Sequence, residues 1–67
     1  MSTQNFTVVG MTCGHCASSV TEEVTEIAGV SNVDVDLASG NVTVTATEPV
    51  SDDAIRAAVE EAGYSLA

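Results

Sequence analysis

The chain has no lysine and no tryptophan, and Arg56 is its one strongly basic residue among 67. Ten Asp and Glu side chains leave a net charge of −9. A nucleic-acid binder neutralises phosphates with a basic footprint, so this shortage of cations excludes that class. It argues equally against an anionic membrane surface. Aromatics are nearly missing, with only Phe6 and Tyr64, so the chain lacks a stacking platform for bases. No apolar run approaches the roughly 20 residues that span a bilayer. The opening residues Met1 to Asn5 lack both the basic and the apolar region of a signal peptide. The expectation is a cytoplasmic protein without membrane insertion, where thiols stay reduced. Cysteines number two, three positions apart, and the loop they would close is too small for a disulfide to constrain the fold. A chain of this length forms one domain, residues 1–67, and buries only about 60% of its unfolded surface, so the core is marginal.

What the chain does have is concentrated in Gly10-Met11-Thr12-Cys13-Gly14-His15-Cys16, which holds both cysteines, the one histidine and one of two methionines. Two cysteines in C-x-x-C spacing bring both sulfurs onto one atom. Gly14 is expected to supply the unusual backbone angles of a tight loop. Cys16 falls in the first turn of a following helix, whose free N–H groups and positive dipole end favour thiolate over thiol. Three chemistries compete for this pair. Soft thiolates suit Cu(I), which accepts few ligands and leaves a site that loads and unloads. Zinc usually takes four ligands, and His15, adjacent to Cys16, is badly placed to join the same ion, so a closed zinc site does not form within one chain. C-x-x-C at a helix start is also the thiol–disulfide oxidoreductase signature, and disulfide isomerases carry Cys-Gly-His-Cys. A thioredoxin-type domain, however, needs roughly a hundred residues. This chain lacks a Trp before Cys13, and its single Pro49 sits in a poor context for the proline such sites use.

Elsewhere the patterning is regular. Residues 5–10 read as a strand with Phe6 and Val8 inward. A helix is predicted over 14–28, its apolar stripe made of Ala17, Val20, Val24, Ile27 and Ala28, with Gly29 as its stop. Glu22, Glu23 and Glu26 lie on the wet side. Residues 30–37 alternate, Val33, Val35 and Leu37 against Asp34 and Asp36, and residues 41–47 alternate Val42, Val44 and Ala46 against threonines. Ala38-Ser39-Gly40 between them makes an antiparallel hairpin with one wet face. Asp34 and Asp36 lack further oxygen ligands and read as a solvated face. Ser51 caps a second helix with Asp52 and Asp53 in its first turn, and Val50 and Ile55 are spaced for a hydrophobic staple. Ile55, Ala58, Val59 and Ala62 form its stripe, Gly63 ends it, and residues 64–67 add a short last strand. One offset along the chain pairs Val8 with Val42, Glu26 with Glu60, Ala28 with Ala62 and Gly29 with Gly63. Strand-helix-strand thus occurs twice. Two such units with right-handed crossovers give an α+β, ferredoxin-like β-α-β-β-α-β sandwich, a four-stranded antiparallel sheet with two helices on one face.

Gly-Met-Thr-Cys-x-x-Cys closing a first strand and opening a first helix, with Glu-Ala-Gly-Tyr at residues 61–64, resembles the heavy-metal-associated domain family across essentially the whole chain. The family comprises small copper chaperones and metal-binding domains of copper-transporting P-type ATPases. The resemblance implies the same fold, Cys13 and Cys16 as the ligands of one Cu(I), and a copper-transporting P-type ATPase as partner. Ag(I) or Zn(II) are conceivable substitutes. It implies no catalysis: a chaperone passes copper by ligand exchange, and an excised ATPase domain is the related alternative. Tyr64 is expected beside the metal loop, shielding the thiolates or donating to one sulfur. Met11 is expected to tuck under the loop as an apolar plug rather than act as a thioether ligand. Thr12 stands beside Cys13, where zinc and cadmium exporters often carry an acidic residue. His15 reads as an exposed modulator, and as a ligand only in a homodimer where two C-x-x-C sites share copper.

Overall fold

The computed structural model describes residues 2–12 and 14–67. Six elements follow in order: β1 (Ser2–Val9), α1 (Gly14–Thr25), β2 (Val30–Asp36), β3 (Asn41–Ala46), α2 (Asp52–Glu61) and β4 (Ser65–Leu66). The strands form one antiparallel sheet in the order β2-β3-β1-β4. Each half of the chain places its helix between two strands that are not neighbours, which is the ferredoxin-like arrangement expected.

The core is small and mostly valine. Val8, Val20, Val24, Val42, Val44, Ala46, Val50, Ile55 and Val59 are buried together, drawn from the inner faces of β1 and β3, both helices and the turn before α2. Alternation on β3 is complete: Val42, Val44 and Ala46 are buried while Asn41, Thr43 and Thr45 stand on the other face. That outer face is polar and uncharged at its centre, where Thr43 Oγ1 donates to Asn5 Oδ1 at 2.8 Å and Asn41 Nδ2 donates to Thr43 Oγ1 at 3.1 Å. Burying a valine side chain contributes about 1.5–3 kcal/mol, so the marginal fold depends on each of these residues.

Four local expectations are corrected. β1 begins at Ser2 rather than residue 5, because pairing with β3, Ser2 opposite Ala46, recruits a polar segment with no alternation of its own. Within it Gln4 points inward, and its Nε2 donates to the Val50 carbonyl at 3.3 Å. α1 ends at Thr25, not 28. Glu22, Glu23 and Glu26 gather at its negative dipole end with no basic residue in the last turn. The chain then tightens, Ile27 N–H donating to Val24 O and Val30 N–H to Ile27 O, and Ala28 leaves the stripe and is exposed. Leu37, expected inward, is 38% exposed. The backbone has already turned: the Asp36 carboxylate accepts the Ala38 N–H at 3.0 Å, and the Asp36 carbonyl accepts the Gly40 N–H at 2.8 Å. β3 likewise ends one residue early, at Ala46, where Thr47 N–H donates to Gly29 O. Among the described residues no helix is long and apolar enough to cross a membrane.

Candidate metal centre

Strand register decides which loops meet. Val9 lies opposite Ser65, Thr7 opposite Asn41, and Asp36 opposite Asn41. The β1–α1 connection, the β2–β3 turn and the α2–β4 turn therefore share one end of the sheet. α1 starts at that end, and its first turn contains His15 and Cys16.

Cys16 is half-buried, and Thr12 Oγ1 lies 4.0 Å from its Sγ, at the limit of a hydrogen bond to sulfur. The hydroxyl thus faces the thiol rather than solvent alone. Met11 is partly buried and packs against the core cluster. His15 is exposed, and its backbone carbonyl accepts the Ser19 hydroxyl at 3.2 Å. The expected ligand Cys13 lies outside the described residues. Among the described residues no three His, Cys, Asp or Glu side chains gather as a metal cluster.

Tyr64 reaches this end through the closure of α2. The Gly63 N–H donates to Glu60 O at 2.9 Å and the Tyr64 N–H to Val59 O at 3.1 Å, a paired helix ending that turns the chain towards β1. The ring then lies against Gly10: a Cβ there would be 3.3 Å from Tyr64 Cδ1. Tyr64 is partly buried beside the core. It therefore stands where the loop leaves the strand.

Among the described residues of the loop the unusual backbone angle is at Gly10, with φ of 101°, and not at Gly14. Gly14 is the first residue of α1, with open space where a Cβ would project. Sequence reasoning assigned the conformational freedom to the glycine inside C-x-x-C. The structure puts it three residues upstream of Cys13, where the strand must break and a ring crosses the backbone. A Gly directly after an apolar strand run was the signal available for that.

The chain matches the heavy-metal-associated domain over residues 5–65. It belongs to the heavy-metal-associated domain family. Copper chaperone CopZ of Staphylococcus saprophyticus subsp. saprophyticus is 39% identical over 67 residues, covering 98% of both chains. Among solved structures, a CopZ metallochaperone superposes with a TM-score of 0.92 at 36% identity, over 98% of this chain and all of that one. A copper binding domain from HMA7, a P-type ATPase, gives the same TM-score, 0.92, at 29% identity, over 100% of this chain and 92% of that one. The six-element order and the sheet order thus belong to a heavy-metal-associated domain.

Proposed function

We propose that this protein is a cytoplasmic copper chaperone, in which the thiolates of Cys13 and Cys16 hold one Cu(I) ion in two-coordinate geometry. The observation that carries the reading is the seven-residue motif at the junction of β1 and α1, with Cys16 in the first turn of a helix that has no acidic residue there. The likeness to CopZ supports the cargo. The equally high TM-score against a P-type ATPase domain supports a copper-transporting P-type ATPase as the partner, since donor and acceptor would then be two domains of one build.

Transfer is ligand exchange. A thiol of the partner loses its proton and adds to copper as a third sulfur ligand. Cys13 or Cys16 then leaves and takes up a proton. Repeating the step moves the ion. Copper stays monovalent throughout, no electron is transferred, and beyond the copper–sulfur bonds and the S–H bonds exchanged with solvent nothing forms or breaks, so this is binding and delivery rather than catalysis. Tyr64 and Met11 keep water from the loop, Thr12 offers its hydroxyl to Cys16, and His15 modulates from the exposed side. Ag(I), with the same charge and softness, would occupy the same pair, and Zn(II) would need ligands from a second molecule. Sharing of copper between two C-x-x-C pairs would give a metal-bridged homodimer.

Net charge governs the encounter. A partner surface that is basic attracts this acidic chain over a distance set by the Debye length, so transfer should slow as ionic strength rises. A disulfide reductase assay on metal-free protein separates the chaperone reading from the oxidoreductase one: the chaperone shows no turnover, and sustained turnover would favour the redox chemistry.

A further inference from the structure

Gly40 closes the β2–β3 turn at the end of the sheet where Cys16 lies. Its carbonyl accepts the Val8 N–H at 2.8 Å. Its φ is 76°, and a Cβ there would lie 2.9 Å from the Val8 carbonyl oxygen, a backbone atom that has no rotamer to retreat into. The turn therefore touches β1 twice at one residue, by a hydrogen bond and by a carbonyl seated against a bare Cα. Val8 is 4% exposed and is the last buried residue before the loop. The opposite flank of β1 is held as well. Ala67 N–H donates to Thr7 O at 2.8 Å, and the Tyr64 ring lies against Gly10.

We infer that Gly40 is a positioning residue for metal binding: by fixing the Val8 peptide it sets how the chain leaves the sheet on its way to Cys13. With β4 and Tyr64 on the other flank, a displacement forced on Val8 is passed along β1 into Gly10, Met11 and Thr12. The inference rests on the reading of Cys13 and Cys16 as the Cu(I) ligands.

The test compares two glycine substitutions at opposite ends of the same sheet. Gly40→Ala presses on Val8. Gly29→Ala, at φ 96° with a Cβ 3.1 Å from Glu48 Cβ, imposes a similar backbone strain at the far end. Parent and variants are titrated with Cu(I) against a competing chelator at a temperature where all are folded, and the amide signals of Gly10, Met11 and Thr12 are followed in metal-free protein. Gly40→Ala should weaken copper retention about tenfold, the scale of losses when groups supporting a metal ligand are changed, and should move those three signals. Gly29→Ala should lower the melting temperature and retain copper like the parent. Parent-like retention by Gly40→Ala, or an equal loss in both variants, overturns the inference. If Gly40→Ala does not fold, Gly40→Asn takes its place, since asparagine accepts positive φ with less strain while carrying the same Cβ. A parent that takes up no Cu(I) refutes the copper reading itself and is recognised before any variant is compared.

Discussion

The two helices of this protein begin differently. α2 closes its own N-terminus: Ser51 Oγ accepts the Ala54 N–H at 3.1 Å, and Asp52 and Asp53 occupy the first turn. α1 has no acidic residue in its first turn, although the chain carries ten acidic side chains. A helix start leaves N–H groups without partners inside the helix and a positive dipole end, which favour negative charge. In α2 that preference is met by carboxylates and a hydroxyl, and the result is stability. In α1 the residue able to bring negative charge to the first turn is Cys16. The difference teaches that one piece of backbone physics serves the fold in one half of the molecule and, in the proposed reading, is left for a sulfur ligand in the other. The same division shows in the chain's single arginine, which pairs with Asp53 on α2 at 2.8 Å and is absent from the thiol end.

Exchanging the roles of the two starts breaks this comparison. The largest effect is expected from Cys13→Ser or Cys16→Ser. Either should abolish Cu(I) retention against a strong chelator and leave the circular dichroism spectrum of the folded protein unchanged. Next comes the core that both helices share. Ile55, fully buried in α2, should cost about 2–5 kcal/mol as Ile55→Ala, enough to unfold much of a marginal domain. Denaturant unfolding measures it, and a cost below that range would show the core collapsing around the gap. Ser51→Ala should lower stability by about 1 kcal/mol and leave copper affinity untouched. A change in affinity there would mean that the two helix starts are not separate.

The smallest expected effect is the most pointed. Gly14 has open space where a side chain would project. Gly14→Asp should therefore give α1 the first-turn carboxylate that α2 already has and raise stability by about 0.3–1 kcal/mol. The new charge disfavours a second anion beside it, so copper affinity should fall about twofold to fivefold, the same energy with the opposite sign. Stability from denaturant unfolding and affinity from chelator competition must move in opposite directions. Parallel movement would contradict the account of α1.

Much of this was legible from the chain alone, for local reasons. The alternation in β2 and β3 needs only neighbouring residues, and so does the Ser51 cap with Val50 and Ile55, both of which lie in the core. The C-x-x-C motif likewise announces itself within a few positions. Most of what was not legible depends on partners distant in sequence, with Leu37 the local exception. Ser2 to Gln4 become a strand only because β3 lies beside them. Leu37 is expelled by an Asp36 side-chain turn that alternation does not encode. The working glycine of the loop is Gly10 rather than Gly14, because a ring from residue 64 fixes its surroundings. Gly40 was legible as a turn residue, but its contact with Val8 was not, since that depends on β1 lying beside β3.

The central claim is tested most directly by titrating the reduced, metal-free protein with Cu(I) under anaerobic conditions against a competing chelator. The account predicts that the protein captures one Cu(I) per chain and that the Cys16→Ser variant surrenders it to the chelator. Thiols left empty at the end of the titration, or a Cys16→Ser variant that holds copper as the parent does, would contradict it.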